Sequence, residues 1–431
     1  MLNPETEPRH ATRPSGFRSA VLLGALLGGG LLTADETGKT RVLSEWSDLK
    51  GVEGFEDLEG IEDPMAINDL ESIEDLEQLD RLIGLDGLDL EIPTWEHEIT
   101  LFGSLGYKDN ILLQPTDPEA SGFFRSEVEF FLWQLPTGST EFSVMFDATD
   151  VRYFSADETD GEQMAFLHGN WSWLTARWSK LSAVGQLIYQ DQVLDMSANE
   201  LEPFIGQVQV FSGSLDPEWE LSVTRNLNLS VSGLVRADRF REGPDDFDDL
   251  GFRVGAGYQL ARWADLEVRF TALTRDYATR VQYTAGGRPL LGTRLSIDQR
   301  DAEVRLQLGS GSDGGWKLRT KFGHLQYRDN GSGYFDYDRA TLGLELGWSP
   351  GPWVFTLRGD YHRYDYLSQT VWTGELENRL KEDLYGSVRL ERSLSESLRW
   401  HLEGEWENSW TNDIYGDYHA VAAYSGVSWS F

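Results

Sequence analysis

The feature that most constrains this chain is the alternation of apolar and polar residues in short runs from residue 93 to the C-terminus. In residues 398–406, LRWHLEGEW, leucine and tryptophan alternate with arginine, histidine and glutamate, and residues 353–362 and 384–391 repeat the pattern. Successive side chains of a β-strand point to opposite faces. The alternation therefore predicts strands with one apolar face and one charged face.

Alternation alone does not separate a membrane barrel from a soluble sandwich, because both have one apolar and one polar face. The connections discriminate, because tight turns alternate with longer polar segments. Tight turns are predicted at 136–139, 179–180, 225–228, 262–263, 309–315, 349–352 and 393–397. Longer segments are predicted near 109–121, 155–162, 191–203, 242–249, 276–293, 328–333, 367–376 and 411–417. Together they predict sixteen strands and a transmembrane barrel. Fourteen or eighteen remain open, because residues 201–224 and 367–379 are hard to divide.

Aromatic residues concentrate near both kinds of connection, as interfacial girdles require. The tryptophans predicted to form a membrane girdle are Trp133, Trp263, Trp316, Trp348, Trp353, Trp400 and Trp429. A second belt is predicted at the loop ends from tyrosines and phenylalanines that include Tyr107, Phe154, Tyr277, Tyr327, Tyr337, Tyr364 and Tyr366. The alternative is that these are ordinary strand aromatics.

If the apolar face meets lipid, the charged face lines a wet lumen. The predicted pore-lining residues are Lys317, Arg319, Lys321, Arg358, Arg389, Arg399, Glu403 and Glu405. A basic row on one strand and an acidic row on another would set up a transverse field that orients hydrated solutes. The alternative is that these charges only solvate the lumen and pair across strands.

Composition excludes several classes of protein. The 431 residues carry a formal charge of −35, which argues against nucleic-acid binding. The chain has no cysteine, so it has no disulfide, thiolate metal site or lipoprotein anchor. The only long apolar run, residues 20–32, follows three arginines, so residues 1–34 are predicted to be a signal peptide.

Residues 35–92 differ sharply from the rest of the chain. Between residues 35 and 91 there are 19 acidic and 4 basic residues, and apolar residues recur every third position. A helix has about 3.6 residues per turn, so this spacing does not keep an apolar stripe on one face. The segment is predicted to be periplasmic and solvated or to form short helical turns. A plug in the lumen and a docking segment stay open as alternatives.

Enzymatic and metal sites find little support in the sequence. The seven histidines show no metal-ligand spacing, and no nucleophile motif such as G-x-S-x-G accompanies them. The acidic run at 243–249 offers oxygen ligands for Ca²⁺, but a solvated surface is the preferred interpretation. We predict no enzyme, no metal and no cofactor.

The C-terminal run, residues 421–431, alternates in register and ends in Phe431. Here the sequence resembles bacterial outer-membrane β-barrel proteins, whose closing strand typically ends in an aromatic residue read by the barrel-assembly machinery. The opening run WEHEITLFGSLGYKDN (95–110) is similar to the first strand of porin-type barrels. The resemblance covers residues 93–431. It implies an all-β, antiparallel up-and-down barrel in outer-membrane lipid, with Phe431 as the assembly signal.

The resemblance also implies that the barrel passes small hydrophilic solutes by passive diffusion. One alternative is an export or assembly barrel for polysaccharide or surface protein. A less favoured alternative is an outer-membrane hydrolase. Porins are commonly trimeric, so a homo-oligomer is an open possibility, although no feature of the sequence demands one.

Overall fold

The computed structural model describes residues 95–134, 138–199, 205–242, 245–310, 315–372, 376–413 and 416–431. The predicted signal peptide and the acidic segment 35–92 lie outside these residues. Among the described residues, no helix is long and apolar enough to cross a membrane.

Within the described residues, sixteen antiparallel strands close into one barrel, which confirms the strand number predicted from the turns. Their bounds are β1 (Trp95–Lys108), β2 (Ser121–Gln134), β3 (Thr140–Tyr153), β4 (Gly161–Ala176), β5 (Ser179–Asp195), β6 (Ile205–Thr224), β7 (Leu227–Glu242), β8 (Phe247–Ala261), β9 (Ala264–Tyr277), β12 (Ser296–Gly309), β13 (Trp316–Asp329), β14 (Tyr337–Trp348), β15 (Trp353–Trp372), β16 (Leu376–Ser393), β17 (Leu398–Thr411) and β18 (Tyr418–Ser430). Two short strands, β10 (Gln282–Tyr283) and β11 (Pro289–Leu290), form a separate hairpin between β9 and β12.

The barrel closes between its first and last strands. β1 pairs with β18 from Thr100 opposite Ser430 to Lys108 opposite Ala422. The closure leaves no exposed sheet edge, which a spanning sheet needs because hydrocarbon cannot satisfy free backbone groups. Phe431 extends the seam, since its backbone N–H donates to the Ile99 carbonyl at 3.0 Å.

Two of the predicted loops are shorter than the sequence suggested. β7 continues to Glu242 and β8 begins at Phe247, and β15 runs to Trp372 before β16 begins at Leu376. Residues 247–249 and 367–372 of the predicted loops therefore belong to strands. Polar residues look like loop in a sequence, but strands that extend beyond a bilayer carry polar residues on both faces.

Among the described residues, three clusters of buried apolar side chains lie at the loop end of the barrel. The largest contains Ala198, Phe247, Tyr277, Leu295, Ile297, Leu325, Tyr327, Phe335, Tyr337, Tyr364 and Tyr366. The second contains Phe123, Val151 and Tyr424, and the third contains Leu113, Val193, Tyr418 and Ala420. The first cluster joins strand residues to residues of the connections, so the connections at this end pack inside the barrel.

Candidate functional site: the barrel lumen

The two faces of the strands differ in chemistry around the barrel. Large apolar side chains are exposed on the outer face, for example Leu105 on β1, Leu250 on β8 and Phe322 on β13. The opposite face bears charged residues that contact strands other than their neighbours, as when Lys108 of β1 lies 3.6 Å from Glu162 of β4. Such contacts are possible only across the interior. The charged face therefore lines the lumen.

The predicted basic row lies on this inner face of β13. Arg319 Nη1 is 3.2 Å from Glu345 Oε1 on β14, and Lys321 Nζ is 3.3 Å from Asp360 Oδ1 on β15. Lys317 shares the parity of these two residues and pairs in register with Gly309 and Gly347. The row is thus part of a network of charges that pair across strands.

A cavity of about 550 Å³ lies against this wall at the tight-turn end of the lumen. Its lining brings together three of the predicted pore residues, Arg319, Lys321 and Arg358, with the acidic Glu345 and Asp360. Arg358 is only loosely paired, since its Nε lies 3.9 Å from Glu345 Oε2. The cavity therefore offers a small polar solute donors and acceptors side by side.

The other predicted residues lie on β16 and β17. Arg389 Nη1 donates to Glu403 Oε2 at 3.2 Å, and Glu405 Oε1 accepts a hydrogen bond from the Tyr424 hydroxyl at 2.8 Å. Arg399 lies on the same parity near the turn end, opposite Ser428 in register. We call Glu403 and Glu405 of β17 the seam acids.

Two residues of this network, Arg125 and Tyr424, were not predicted from the sequence. Arg125 Nη1 donates to Tyr424 Oη at 2.5 Å, and Arg125 also pairs with Glu127 at 2.7 Å. Residues 121–134 do alternate, but their phenylalanines occupy both parities, so the charged face is hard to recognise. The signal that could have found Arg125 is its spacing from Glu127 and Glu129.

The wall opposite the basic row is formed by β2 and β3. In the strand order of the barrel β13 is eight positions from β3 but only four from β17. Glu127, Glu129 and Asp147 line this opposite wall, with carboxylate oxygens within 4.8 Å of one another. The acidic face across from the basic row is therefore this set, which we call the acidic wall, and the seam acids lie a quarter turn away.

The acidic wall has the ligand chemistry of a hard cation, but register alone explains the grouping. Glu129 and Asp147 are directly opposite each other in the β2–β3 pair. Like charges in this position destabilise a strand pair. The arrangement therefore favours a role in the electrostatics of the lumen over one in stability, and we assign no metal to it.

One Ser–His pair meets the distance test for nucleophilic chemistry. Ser104 Oγ of β1 lies 2.9 Å from His401 Nε2 of β17. Both residues are buried, so neither presents an atom to a solute. The pair crosses β18 at Gly426, where an added Cβ would lie 2.5 Å from Ser104 Oγ. We interpret it as a contact that ties the seam, and the absence of enzymatic activity stays a prediction.

Most of the predicted girdle tryptophans lie on the outer face at the tight-turn end. Trp263, Trp316, Trp348 and Trp429 have exposed side chains, and Trp316 pairs with Trp348 in register. Trp353 stacks under the Arg392 guanidinium at 5.1 Å, and Trp400 donates from Nε1 to Ser425 Oγ at 3.0 Å. Phe431 is exposed next to Trp429, with ring centroids 5.3 Å apart.

Trp133 does not fit the predicted girdle. It shares the parity of Arg125, Glu127 and Glu129 on β2, and it pairs in register with Ser143 of β3. This parity faces the lumen. A position near a tight turn gives the depth of a residue in the barrel, whereas its parity gives the face. For Trp133 the depth agrees with the prediction and the face does not.

The predicted second belt is wrong for most of its members. Tyr277, Tyr327, Tyr337, Tyr364 and Tyr366 are buried in the large cluster inside the barrel, where Tyr327 stacks on Tyr337 with centroids 4.6 Å apart. Tyr107 and Phe154 are exposed at the loop end, as predicted. The inner tyrosines share the parity of the pore-lining charges on their own strands.

A closed barrel with an apolar outer surface, a tryptophan belt and a charged lumen defines a membrane-spanning β-barrel. Solved structures with a similar fold include Pseudomonas aeruginosa OpdQ, at 10% identity and a TM-score of 0.41, covering 78% of this chain and 98% of that chain. A BenF-like porin from Pseudomonas fluorescens Pf-5 is similar at 8% identity and a TM-score of 0.43, with 79% and 99% covered. An anion-selective porin from Comamonas acidovorans is similar at 9% identity and a TM-score of 0.39, with 78% and 99% covered. No protein-family model and no curated protein matches the chain.

Proposed function

We propose that this protein is an outer-membrane, porin-like channel for passive diffusion of small hydrophilic solutes. The observation that carries the proposal is the polarity of the barrel: lipid-compatible side chains outside and charged side chains around a cavity inside. A barrel that served only as an anchor would not need charged walls on opposite sides of its lumen. Sixteen strands are enough to enclose an aqueous path.

The charges on the inner face also suggest how solutes are handled. The basic row of β13 and the acidic wall of β2 and β3 lie on opposite sides of the barrel. In a lumen with low-dielectric walls, such an arrangement produces a field across the path of the solute. A solute with a dipole or with separated charges would align in this field as it passes, with its anionic part toward β13.

The N-terminal regions and the barrel's partners complete the proposal. Residues 1–34 would direct export, and the acidic segment 35–92 would lie in the periplasm, because β1 begins at the tight-turn end. Phe431 would be the residue read by the barrel-assembly machinery. Its backbone pairs with Ile99 at the seam, so the residue also completes the closure.

The function is tested by single-channel recordings of the purified full chain in planar bilayers. We expect stepwise conductance that scales with salt concentration, as for an aqueous pore. A variant without residues 35–92 is the control for a blocking role of that segment. If both forms are silent, the diffusion proposal is wrong, and release of fatty acid from phospholipid vesicles would then support the hydrolase alternative.

The proposed field across the lumen predicts opposite changes in ion selectivity when a charge is removed from the basic row or from the acidic wall. Lys321→Met leaves Asp360 without its cation and should raise the permeability ratio of K⁺ to Cl⁻, whereas Glu129→Gln should lower it, each by about twofold or more. Reversal potentials in a KCl gradient measure the ratio. Arg363→Met is the matched control, because Arg363 pairs with Asp365 on the outer face of β15. Equal shifts for all three variants would contradict the assignment of the walls.

A further inference from the structure

The outer surface of the barrel is not uniform at the loop end. On the half of the barrel from β17 through the seam to β6, large apolar side chains are exposed near this end, for example Tyr107, Phe124, Phe154 and Phe211. On the half from β7 to β16, many outward residues at this end are charged. We call this second arc the charged rim and define it as Arg239, Asp248, Asp298, Arg300, Arg328, Asp338, Arg363, Asp365 and Glu382.

The charged rim begins where the apolar outer surface ends. On β8, Asp248 is followed on the same face by the exposed Leu250, and on β14, Asp338 lies on the same face as the exposed Leu342. Ion pairs on an exposed surface add little to stability. Their position along one edge of the apolar surface is therefore better explained by what surrounds the barrel at that depth.

Arg239 of β7 is held flat against the barrel wall. Its Nη1 donates to the backbone carbonyls of Asp238 and Phe247, each at 2.9 Å. Its Nη2 donates to the carboxylate of Asp248 on β8. Three contacts therefore fix the orientation of one guanidinium on the outer face.

Arg328 of β13 repeats this arrangement on another strand pair. Its Nη1 donates to the carbonyl of Tyr327 at 2.9 Å and to that of Tyr337 at 2.6 Å, and its Nη2 donates to the carboxylate of Asp338. As with Arg239, the acceptors are the carbonyl of the preceding residue, a carbonyl of the next strand and the aspartate that follows it. The sequence thus builds the same arginine site twice.

Both arginines keep one edge of the guanidinium open. The contacts above use Nη1 and Nη2, and within the described residues no acceptor binds Nε of Arg239 or Arg328. Nε and Nη2 form the second edge of the planar group, which can donate to two oxygens of one phosphate. The two side chains are 48% and 31% exposed. Each arginine therefore presents an oriented pair of donors to the surroundings of the barrel.

Arg300 of β12 adds a third cation between these two sites in the strand order. Its side chain is exposed, and its neighbours in register, Ala272 and Gln326, carry no charge. In the part of the chain that the structure describes, Arg300 forms no ion pair. An anion outside the protein is therefore its expected partner.

We propose that the charged rim binds the phosphate groups of outer-leaflet lipids, with Arg239 and Arg328 as the two principal sites. The loop end faces the cell exterior, because outer-membrane barrels have short periplasmic turns and longer extracellular loops. Phosphate oxygens accept strong, charge-assisted hydrogen bonds from arginine. The aspartates orient each guanidinium, and their free oxygens fit the divalent cations that accompany a layer of phosphates. The inference depends on the outer-membrane location and not on the channel function.

The test counts lipids bound to the purified full chain in a neutral detergent by native mass spectrometry. The probe is lipid A, a glycolipid with phosphate monoesters, and the same glycolipid without phosphate is the control ligand. Replacing both Arg239→Gln and Arg328→Gln should weaken binding of lipid A by about tenfold or more, since two bidentate contacts are lost. The dephosphorylated glycolipid should bind weakly to both proteins. Equal affinity of the variant and the unmodified chain for lipid A would overturn the proposal.

Arg152→Gln is the matched control. Arg152 lies at the loop end of β3 opposite Phe124 on the outer face, and it is 43% exposed. Its Nε donates to Asp150 Oδ2 at 2.9 Å and its Nη2 lies 2.8 Å from Asp150 Oδ1, so the edge that is open in the rim arginines is occupied. This variant should bind lipid A like the unmodified chain. A loss as large as that of the double variant would show that any outward charge suffices and would contradict the assigned sites.

A second variant keeps the test valid if the glutamine variant does not fold, which circular dichroism of the β-sheet would reveal. Lysine at positions 239 and 328 retains both charges but lacks the planar edge, so affinity for lipid A should still fall by about threefold or more. Unchanged affinity would overturn the role of that edge. Excess inorganic phosphate should not displace the lipid, and displacement would show that the sites take free phosphate and not a lipid headgroup.

Discussion

Aromatic residues at the two ends of the barrel face opposite ways. At the tight-turn end Trp263 and Trp348 point outward, and more than half of each side chain is exposed at 59% and 51%. At the loop end Tyr327 and Tyr337 point inward and are 2% and 1% exposed. Aromatic residues therefore form the outer surface of the barrel at the tight-turn end and pack its interior at the loop end.

The connections explain the difference. At one end tight turns join the strands, and within the described residues the inner face there meets the cavity. At the other end, residues of the connections pack in the same cluster as the tyrosines, namely Ala198 between β5 and β6, Leu295 before β12 and Phe335 before β14. Segments that enter a lumen need apolar partners, because their burial must offset the conformational entropy lost on ordering them.

The largest expected effect compares two residues at opposite ends of β14. Tyr337→Ala removes a fully buried ring and should lower the free energy of unfolding by about 3–5 kcal/mol, the usual range for an aromatic residue in a packed core. Trp348→Ala removes a half-exposed side chain and should have at most half the effect of full burial, about 1–1.5 kcal/mol. Urea unfolding of the barrel in lipid vesicles, followed by tryptophan fluorescence, measures both.

Tyr337→Phe is the control for this pair, since it keeps the ring and removes only the hydroxyl. It should be much closer to the unmodified chain than Tyr337→Ala. If Trp348→Ala destabilises the barrel as much as Tyr337→Ala, the contrast between an interior cluster and a surface belt is wrong.

Local signals made the strands and their number predictable. Period-two alternation marks each strand, and tight turns such as SPGP at 349–352 mark one end of each hairpin. These features depend on neighbours in sequence, so they could be read without the structure. The inner positions of Arg319 and Lys321 followed from the same alternation once the apolar face was taken to meet lipid.

The parity of the inner tyrosines and of Trp133 within their strands already indicated an inner position, but the prediction of the aromatic belts relied on distance from a turn. Tyr327 has the same parity as Lys321 on β13, and Trp133 has the same parity as Glu127 on β2. Their distance from a turn predicted a belt, whereas the alternation that placed the charges inside predicted an inner position for the aromatics as well. Parity is the stronger argument, because a one-residue change of face is not possible without a bulge.

Other features could not be predicted because they are not local. The acidic wall lies across from β13 only because the strands close into a ring. Lys381 of β16 contacts Asp195 only because the end of β5 extends into the lumen toward β16. In the sequence these residues are separated by most of the barrel. No pattern within either strand indicates the partner on the other.

The smallest expected effect concerns how an outer tryptophan is held. Trp400 Nε1 donates to Ser425 Oγ on the neighbouring strand at 3.0 Å, and the Ser425 hydroxyl donates to the His401 carbonyl at 2.9 Å. Near the membrane interface water replaces such a bond only in part. A double-mutant cycle of Trp400→Phe and Ser425→Ala should therefore give a coupling of about 0.5–1 kcal/mol in the urea titration.

The control cycle combines Trp400→Phe with Trp263→Phe, which lies in the β8–β9 turn on another part of the barrel, and these two changes should be additive. A coupling between Trp400 and Ser425 near zero would mean that the outer tryptophans are held by the headgroup region alone. A coupling in the expected range would mean that the outer belt is also fixed by single hydrogen bonds to the barrel. The inner tyrosines would still differ from it, because many packing contacts hold each of their rings.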